Sequence, residues 1–248
     1  MSVALPAKVL ALTAQTDNLK EVCAPCASCY SRLKFAQRKM SQPNLRQDVE
    51  QVIGGRYPDD IRVLHMLDLI TEKVGIDAVS EKVERSLNGI KVACYYGCLI
   101  TRPPKVTEKA EFENPVDMEL IMEALGAEVV DWNMKTFCCG ASFALTNIDV
   151  VLELTKKILY DASVAGADAV AVGCPLCHAN LDGRQKQINE KFDTNFEIPI
   201  FYFTELMGLA FGIRPKDLGI FRHLTEVEHF LIPLRVKNSR GLDCKVLL

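Results

Sequence analysis

Ala169-Val170-Ala171-Val172-Gly173-Cys174-Pro175-Leu176-Cys177-His178 is the stretch that decides the fold. Its first five residues are wholly apolar, as in a strand covered on both faces, and a cysteine stands at the carboxyl end. Cys177 falls near the first turn of a following helical stretch, predicted through Leu181–Phe192. Upstream, Ile90–Tyr95 is a short apolar, β-branched run with Cys98 just beyond it. Glu128–Val130 is a further predicted strand, leading by a loop to Phe137-Cys138-Cys139-Gly140. Helices are predicted from Asn114-Pro115 through Met118, Ile121 and Leu125 to Gly126, and over Val150–Ala165; a last strand is predicted at Ile198–Tyr202. Alternating strands and helices imply an α/β domain with a mainly parallel sheet flanked by helices. In such sheets, sites gather beyond the carboxyl strand ends. Three strand ends can therefore bring Cys98, Cys138, Cys139, Cys174 and Cys177 to one place.

Five thiols exceed what one tetrahedral zinc ion takes, and two adjacent thiolates make a tight bite on a single ion. A polynuclear iron–sulfur centre suits five thiolates with an adjacent pair. Gly97, Gly140 and Gly173 flank these ligands, where the backbone must turn or pass close.

At these residues the sequence resembles the cysteine-rich CCG motif of the B subunit of heterodisulfide reductase. Neighbouring words agree: Tyr95-Tyr96-Gly97-Cys98, Glu123-Ala124-Leu125-Gly126-Ala127, Asn180-Leu181-Asp182 and Phe201-Tyr202-Phe203-Thr204-Glu205-Leu206. The resemblance implies that Cys98, Cys138, Cys139, Cys174 and Cys177 hold a non-cubane 4Fe-4S cluster. It implies two such clusters in a full subunit, which jointly cleave a low-molecular-weight disulfide of two thiol coenzymes. Electrons are then expected from a small ferredoxin-like C subunit attached to a flavin-containing A subunit. Two other readings stay open: a non-catalytic CCG-domain electron-transfer module of a lactate- or quinone-linked complex, and a zinc-stabilised interaction domain.

The ten cysteines, without a signal-peptide layout, point to a reducing compartment and metal or redox chemistry. A cytoplasmic location follows as an expectation. A net charge of −3 gives no reason to expect nucleic acid, and no apolar run is long enough to span a bilayer. There is no Gly-x-Gly-x-x-Gly and no Walker-type loop, so a nucleotide cofactor and phosphoryl transfer lack support.

The first part of the chain repeats the second. Cys26-x-x-Cys29 with Leu33 four residues on matches Cys174-x-x-Cys177 with Leu181 four on, the signature of an internal duplication. The predicted division is residues 1–88, the remainder of a first CCG-type half, and 89–248, a complete second one. The first half lacks counterparts of Cys98 and of the cysteine pair, and Ser2 onward reads like the middle of a helix. A missing N-terminal part is the expectation. Cys23, Cys26 and Cys29 form a partial first site, open to zinc, and the resemblance implies that Cys26 and Cys29 face Cys98 and Cys177 across a cavity. A helix with an apolar face of Leu5, Val9, Leu12 and Leu19 is predicted at the start. Others are predicted over Leu45–Ile53, over Ile61–Gly75 and over Ile76–Ser86.

His178 has two readings: a proton donor to a departing thiolate, and a structural hydrogen-bonding partner near the cluster. His65 reads as a helix-surface or core-edge residue, and His223 and His229 as solvated. Cys94, inside an apolar strand, and Trp132 read as core, and Cys244 as having no role in ligation.

Overall fold

The computed structural model describes residues 2–16, 19–232 and 234; Cys244 lies outside them. The chain opens with α1 (Ala4–Ala14), β1 (Glu21–Ala24), α2 (Ala27–Met40), α3 (Pro43–Ile53) and β2 (Arg62–His65). A short α4 (Met66–Asp68), a π-turn over Leu69–Val74 and α5 (Ile76–Glu81) lead to β3 (Lys91–Tyr95) and α6 (Pro104–Thr107). Then follow α7 (Asp117–Ala124), β4 (Glu128–Val129), α8 (Ile148–Val164), β5 (Ala169–Val172), α9 (Pro175–Gly183) and α10 (Gln185–Phe192). The described part ends with β6 (Ile200–Tyr202), α11 (Phe203–Ala210), α12 (Pro215–Leu218) and α13 (Glu228–Leu231).

The main sheet is parallel throughout, in the order β4-β3-β5-β6. From β3 the chain moves outward to β4, then crosses back to place β5 on the other side of β3. That reversal makes the β3/β5 boundary a topological switch point, the usual place for a site in an open sheet. Cys98 follows β3 and Cys174 follows β5. Val92, Ala93, Val170, Ala171 and Val172 are fully buried, which explains their unbroken apolar run. Helices α7 and α8 close over the sheet with Met118, Ile121, Met122, Leu152, Ile158 and Leu159.

A second sheet pairs β1 with β2 in parallel, Ala24 opposite His65. Its core joins Leu10, Tyr30, Met40, Val49, Tyr57 and Val63. Leu67, Ile70, Val79 and Leu87 pack instead into the core of the larger sheet.

The small sheet duplicates the β5–β6 part of the large one. In each, the strand is followed by two residues, the second a cysteine capping a helix in extended backbone: Cys26 on α2, Cys174 on α9. In each, the partner strand ends in the cap of another helix. His65 caps α4, with Asp68 accepting from the His65 N–H (2.8 Å); Tyr202 caps α11, with Glu205 accepting from the Tyr202 N–H (2.8 Å). The two units grip each other reciprocally. Tyr202 donates its hydroxyl to the Pro25 carbonyl (2.6 Å), next to Cys26. His65 Nε2 approaches the Gly173 and Pro25 peptides, beside Cys174 and Cys26, without a well-formed hydrogen bond.

Three local expectations are corrected. The stretch predicted as a helix over Ile61–Gly75 begins as the strand β2; buried on both faces, it gives an apolar run that no period separates from a helix. Its His65 is fully buried rather than at a helix surface. On α1, the predicted inner face of Leu5, Val9 and Leu12 is exposed, and Ala7, Leu10 and Ala11 pack instead, because small side chains let the helix lie close on α2 and α3. Finally, residues 175–192 form two helices rather than one beginning at Leu181, with Cys177 in the first turn of α9 as expected.

Candidate metal centre

Cys98, Cys138, Cys139, Cys174 and Cys177 all line one cavity of about 100 Å³ at the β3/β5 switch point. Cys98 comes from the turn after β3, the adjacent pair from the loop after β4, and Cys174 and Cys177 from the start of α9. Cys139, Cys174 and Cys177 are buried, Cys98 is half-buried and Cys138 is exposed. Sγ of Cys139 lies 3.4 Å from Sγ of Cys177.

Two glycines set this geometry. Gly97 turns the chain with φ +66°, and a Cβ there would stand 2.9 Å from Cys177 Sγ. Gly140, with φ +77°, would press a Cβ to 3.3 Å from the Val151 backbone, so α8 could not pack as close. The Gly140 N–H also donates to Cys138 Sγ (3.3 Å).

The electrostatics favour thiolate. Cys138 is drawn down to about 6, first by a hydrogen bond from the Cys98 thiol and then by the Gly140 N–H, against burial. Cys174 is likewise drawn down to about 6, first by the Cys177 thiol and then, against burial, by the peptide N–H groups of Cys177, Leu176 and Ala27. Two of those N–H groups belong to the free first turn of α9; the third belongs to α2 of the other unit. Cys139 is lowered by the Cys177 thiol, and the Ala141 N–H and Asn180 add to this. Cys98 and Cys177, the donors, are correspondingly raised. Asn180 fixes the pair by donating Nδ2 to the Cys139 carbonyl (3.2 Å). It lies three residues beyond Cys177 on α9, a spacing that puts it on the ligand-bearing face.

The donor set fits a polynuclear iron–sulfur group: soft thiolates only, five on one cavity, an adjacent pair among them, and peptide N–H groups aimed at the sulfur atoms. The first unit contributes its helix start, Ala27 and Ser28, to the cavity wall. Its thiols are not among the residues lining this cavity, although Cys29 lies near enough to Cys26 and Cys174 for both to add to the burial that raises its thiol. Cys26 caps α2, Cys29 is exposed, and Cys23 is half-buried, its thiol raised by burial and by Asp68. Cys94 is fully buried in β3 and Trp132 donates Nε1 to its carbonyl (3.1 Å), so both serve the core.

His178 is not part of the cavity wall. One residue beyond Cys177, it points off the other side of α9, its Nε2 3.1 Å from the Ile200 carbonyl and its ring edge-on to His223 (4.8 Å between centroids). It is placed for the structural of its two readings. His223, expected to be solvated, has a buried ring that meets Glu205 (3.1 Å); the two are 18 residues apart, too far for a local pattern to reveal.

Comparison with known proteins agrees with this geometry. The family model of the CCG cysteine-rich domain matches residues 92–182, which contain all five cavity thiols. The B subunit of the ferredoxin:CoB-CoM heterodisulfide reductase of Methanosarcina mazei is 30% identical over 230 residues, covering 90% of this chain and 76% of its own. The 8-methylmenaquinol:fumarate reductase membrane anchor subunit of Wolinella succinogenes is 30% identical over 216 residues, 86% of this chain and 75% of that one. No described helix of the present chain is long and apolar enough to cross a membrane. A crystal structure of a hypothetical protein from Helicobacter pylori shares the fold, with a TM-score of 0.68 at 13% identity; it matches 91% of this chain, which spans 41% of that one. With a cysteine-rich cavity at the switch point and this likeness along nearly its whole length, the chain belongs to the family of heterodisulfide reductase B subunits.

Proposed function

We propose that the chain is the iron–sulfur subunit of an oxidoreductase complex that reduces a low-molecular-weight disulfide. Cys98, Cys138, Cys139, Cys174 and Cys177 hold one non-cubane 4Fe-4S cluster. The observation that carries this reading is the convergence of those five thiols on one cavity. The cluster, when bound, supplies single electrons to the sulfur of the substrate. The chain's own residues do the rest. The N–H groups of Leu176, Cys177, Ala27 and Gly140 hold negative charge on the sulfur ligands. Leu99, Leu176 and Ala141 give the cavity apolar walls that exclude water, and Ser28 and Ser142 offer hydroxyls to a polar substrate tail.

Leu176 in the cavity wall, Phe137 next to Cys138, and Phe143 and Leu145 further along the same loop are exposed apolar side chains. They suit a docked electron donor, in this family a ferredoxin-like C subunit carried with a flavin-containing A subunit. Cys23, Cys26 and Cys29 form the partial first site of the 1–88 unit, with zinc as its candidate occupant. The 89–248 unit carries the cluster.

The relative from Wolinella, named for a fumarate reductase, favours a second reading: electron transfer through the same cluster without disulfide chemistry. Electron paramagnetic resonance of the anaerobically purified complex separates the two. Low-molecular-weight disulfides and thiols should change the cluster signal if the substrate binds there. A signal indifferent to all of them, in a complex that still passes electrons, would select the second reading.

A further inference from the structure

Behind the cluster helix lies a second group of donors. His178 on α9, Glu205 on α11 and His223, which follows the short 3₁₀ turn Ile220–Arg222, each offer one ligand atom, and these atoms lie within 4.8 Å of one another. His223 Nε2 is 3.1 Å from Glu205 Oε1, and His178 Nε2 is 3.9 Å from Glu205 Oε2. In a tetrahedral zinc site with Zn–N distances near 2.0–2.1 Å, ligand atoms stand about 3.3 Å apart. The spacings of 3.1 and 3.9 Å to the carboxylate bracket that value.

The internal repeat supplies a control. Glu205 and Asp68 occupy the same place in their units, each closing a capping box. Among the described residues Asp68 forms its ion pair with Lys109, and the residue matching His178, one beyond Cys29, is Tyr30. The first cap thus has one cation on its carboxylate, and its own imidazole, His65, accepts from the Leu67 N–H through Nδ1. The second unit has two imidazoles on its carboxylate instead. Moreover, His223 is held from behind. Asp182 accepts from the N–H groups of Leu224 (2.8 Å) and Thr225 (3.0 Å), fixing the segment that carries the ring. His223 Nδ1 is buried without a hydrogen-bond partner among the described residues, which leaves Nε2, the nitrogen that meets Glu205, as the ligand atom.

We infer that His178, Glu205 and His223 form a binding site for a divalent transition metal of the zinc class. Two imidazoles and one carboxylate match the donor set of open zinc sites, with a fourth position for water or for the Ile200 carbonyl, 3.1 Å from His178 Nε2. The metal ties α9, α11 and the segment after the 3₁₀ turn together directly behind Cys177. It is a positioning site: it stiffens the helix that presents a cluster ligand and touches no reacting atom. Ligation requires neutral imidazoles, so metal and protons compete for the site.

The test uses cluster-loaded protein, stripped of loosely held metal with a chelator under anaerobic conditions and then given cobalt(II) or zinc(II) alone. Wild type should bind one more equivalent than His223→Gln. The cobalt difference spectrum should show d–d bands without the near-ultraviolet charge transfer of a cobalt–thiolate bond. Glu205→Gln should weaken binding at least about tenfold, and serves in place of His223→Gln should that variant not fold, as judged by circular dichroism and iron content. Equal metal uptake by wild type and a folded variant overturns the inference. So does a thiolate charge-transfer band in the difference spectrum, since the metal would then sit on Cys23, Cys26 or Cys29.

Discussion

Replacing Gly97 by alanine tests whether close approach to the cavity, rather than backbone freedom alone, dictates that glycine. Gly54 provides the matched control. Both sit at φ +66°, and a Cβ at Gly54 would meet nothing within 4 Å, whereas at Gly97 it would stand 2.9 Å from Cys177 Sγ and 3.7 Å from the Tyr95 ring. Each substitution carries the left-handed penalty of about 1–2 kcal/mol for an L side chain. Gly97→Ala adds an overpacking cost of about 1–3 kcal/mol, because the Cys177 side chain is buried and has little room to retreat. Urea denaturation of the metal-free protein should thus place Gly97→Ala below Gly54→Ala by that second amount. After anaerobic reconstitution, Gly54→Ala should hold wild-type iron, and Gly97→Ala should hold clearly less, since Cys177 is displaced. Equal unfolding midpoints and equal iron in the two variants would refute the claim that Gly97 exists to admit Cys177 to the cavity.

Asn180→Ala should cost about 1 kcal/mol by leaving the buried Cys139 carbonyl with only the longer Thr155 hydroxyl bond (3.5 Å), and should raise the Cys139 thiol; denaturation and pH-dependent alkylation read the two effects. In metal-free protein, alkylation of the exposed Cys138 should rise through pH about 6 rather than through the ordinary thiol range, and Cys98→Ala should return it upward by removing the donor thiol. An alkylation profile unmoved by Cys98→Ala would break that link. Burial lowers the buried His65 from 6.5 to about 4, so its contribution is complete above pH 6.5 and is lost as pH falls toward 4. That gap corresponds to about 3 kcal/mol. A His65→Gln variant should therefore lose less stability than wild type between pH 7 and pH 4, measured by denaturation at each pH.

The parallel sheet and its ligand loops were legible because each rests on local pattern: an apolar run in β3 and β5, a cysteine just past its end, and proline or glycine punctuation around it. The five thiols could be grouped because strand ends of one parallel sheet converge. β2 was misread for a physical reason, since Ile61 and Val63-Leu64 are buried on both faces and look the same as a helix stripe. The polarity of α1 was missed because alanine packs against neighbours as readily as leucine where helices lie close. His223, together with the contribution of Ala27 to Cys174, depends on contacts across long stretches of chain that no spacing rule carries. The cap at Tyr202 and Glu205 carries no such signal, because tyrosine is not among the N-cap residues of a capping box, so this support for the duplication is visible only in the structure.

The central claim is that five cysteines of one unit hold one cluster. The most direct measurement is iron and acid-labile sulfide per chain after anaerobic reconstitution, for wild type and for Cys139→Ala. The account predicts about four iron and about four sulfide in wild type, with loss of both in the variant. Iron-free wild-type protein that carries zinc alone would contradict it, as would a Cys139→Ala variant that keeps its full iron and sulfide.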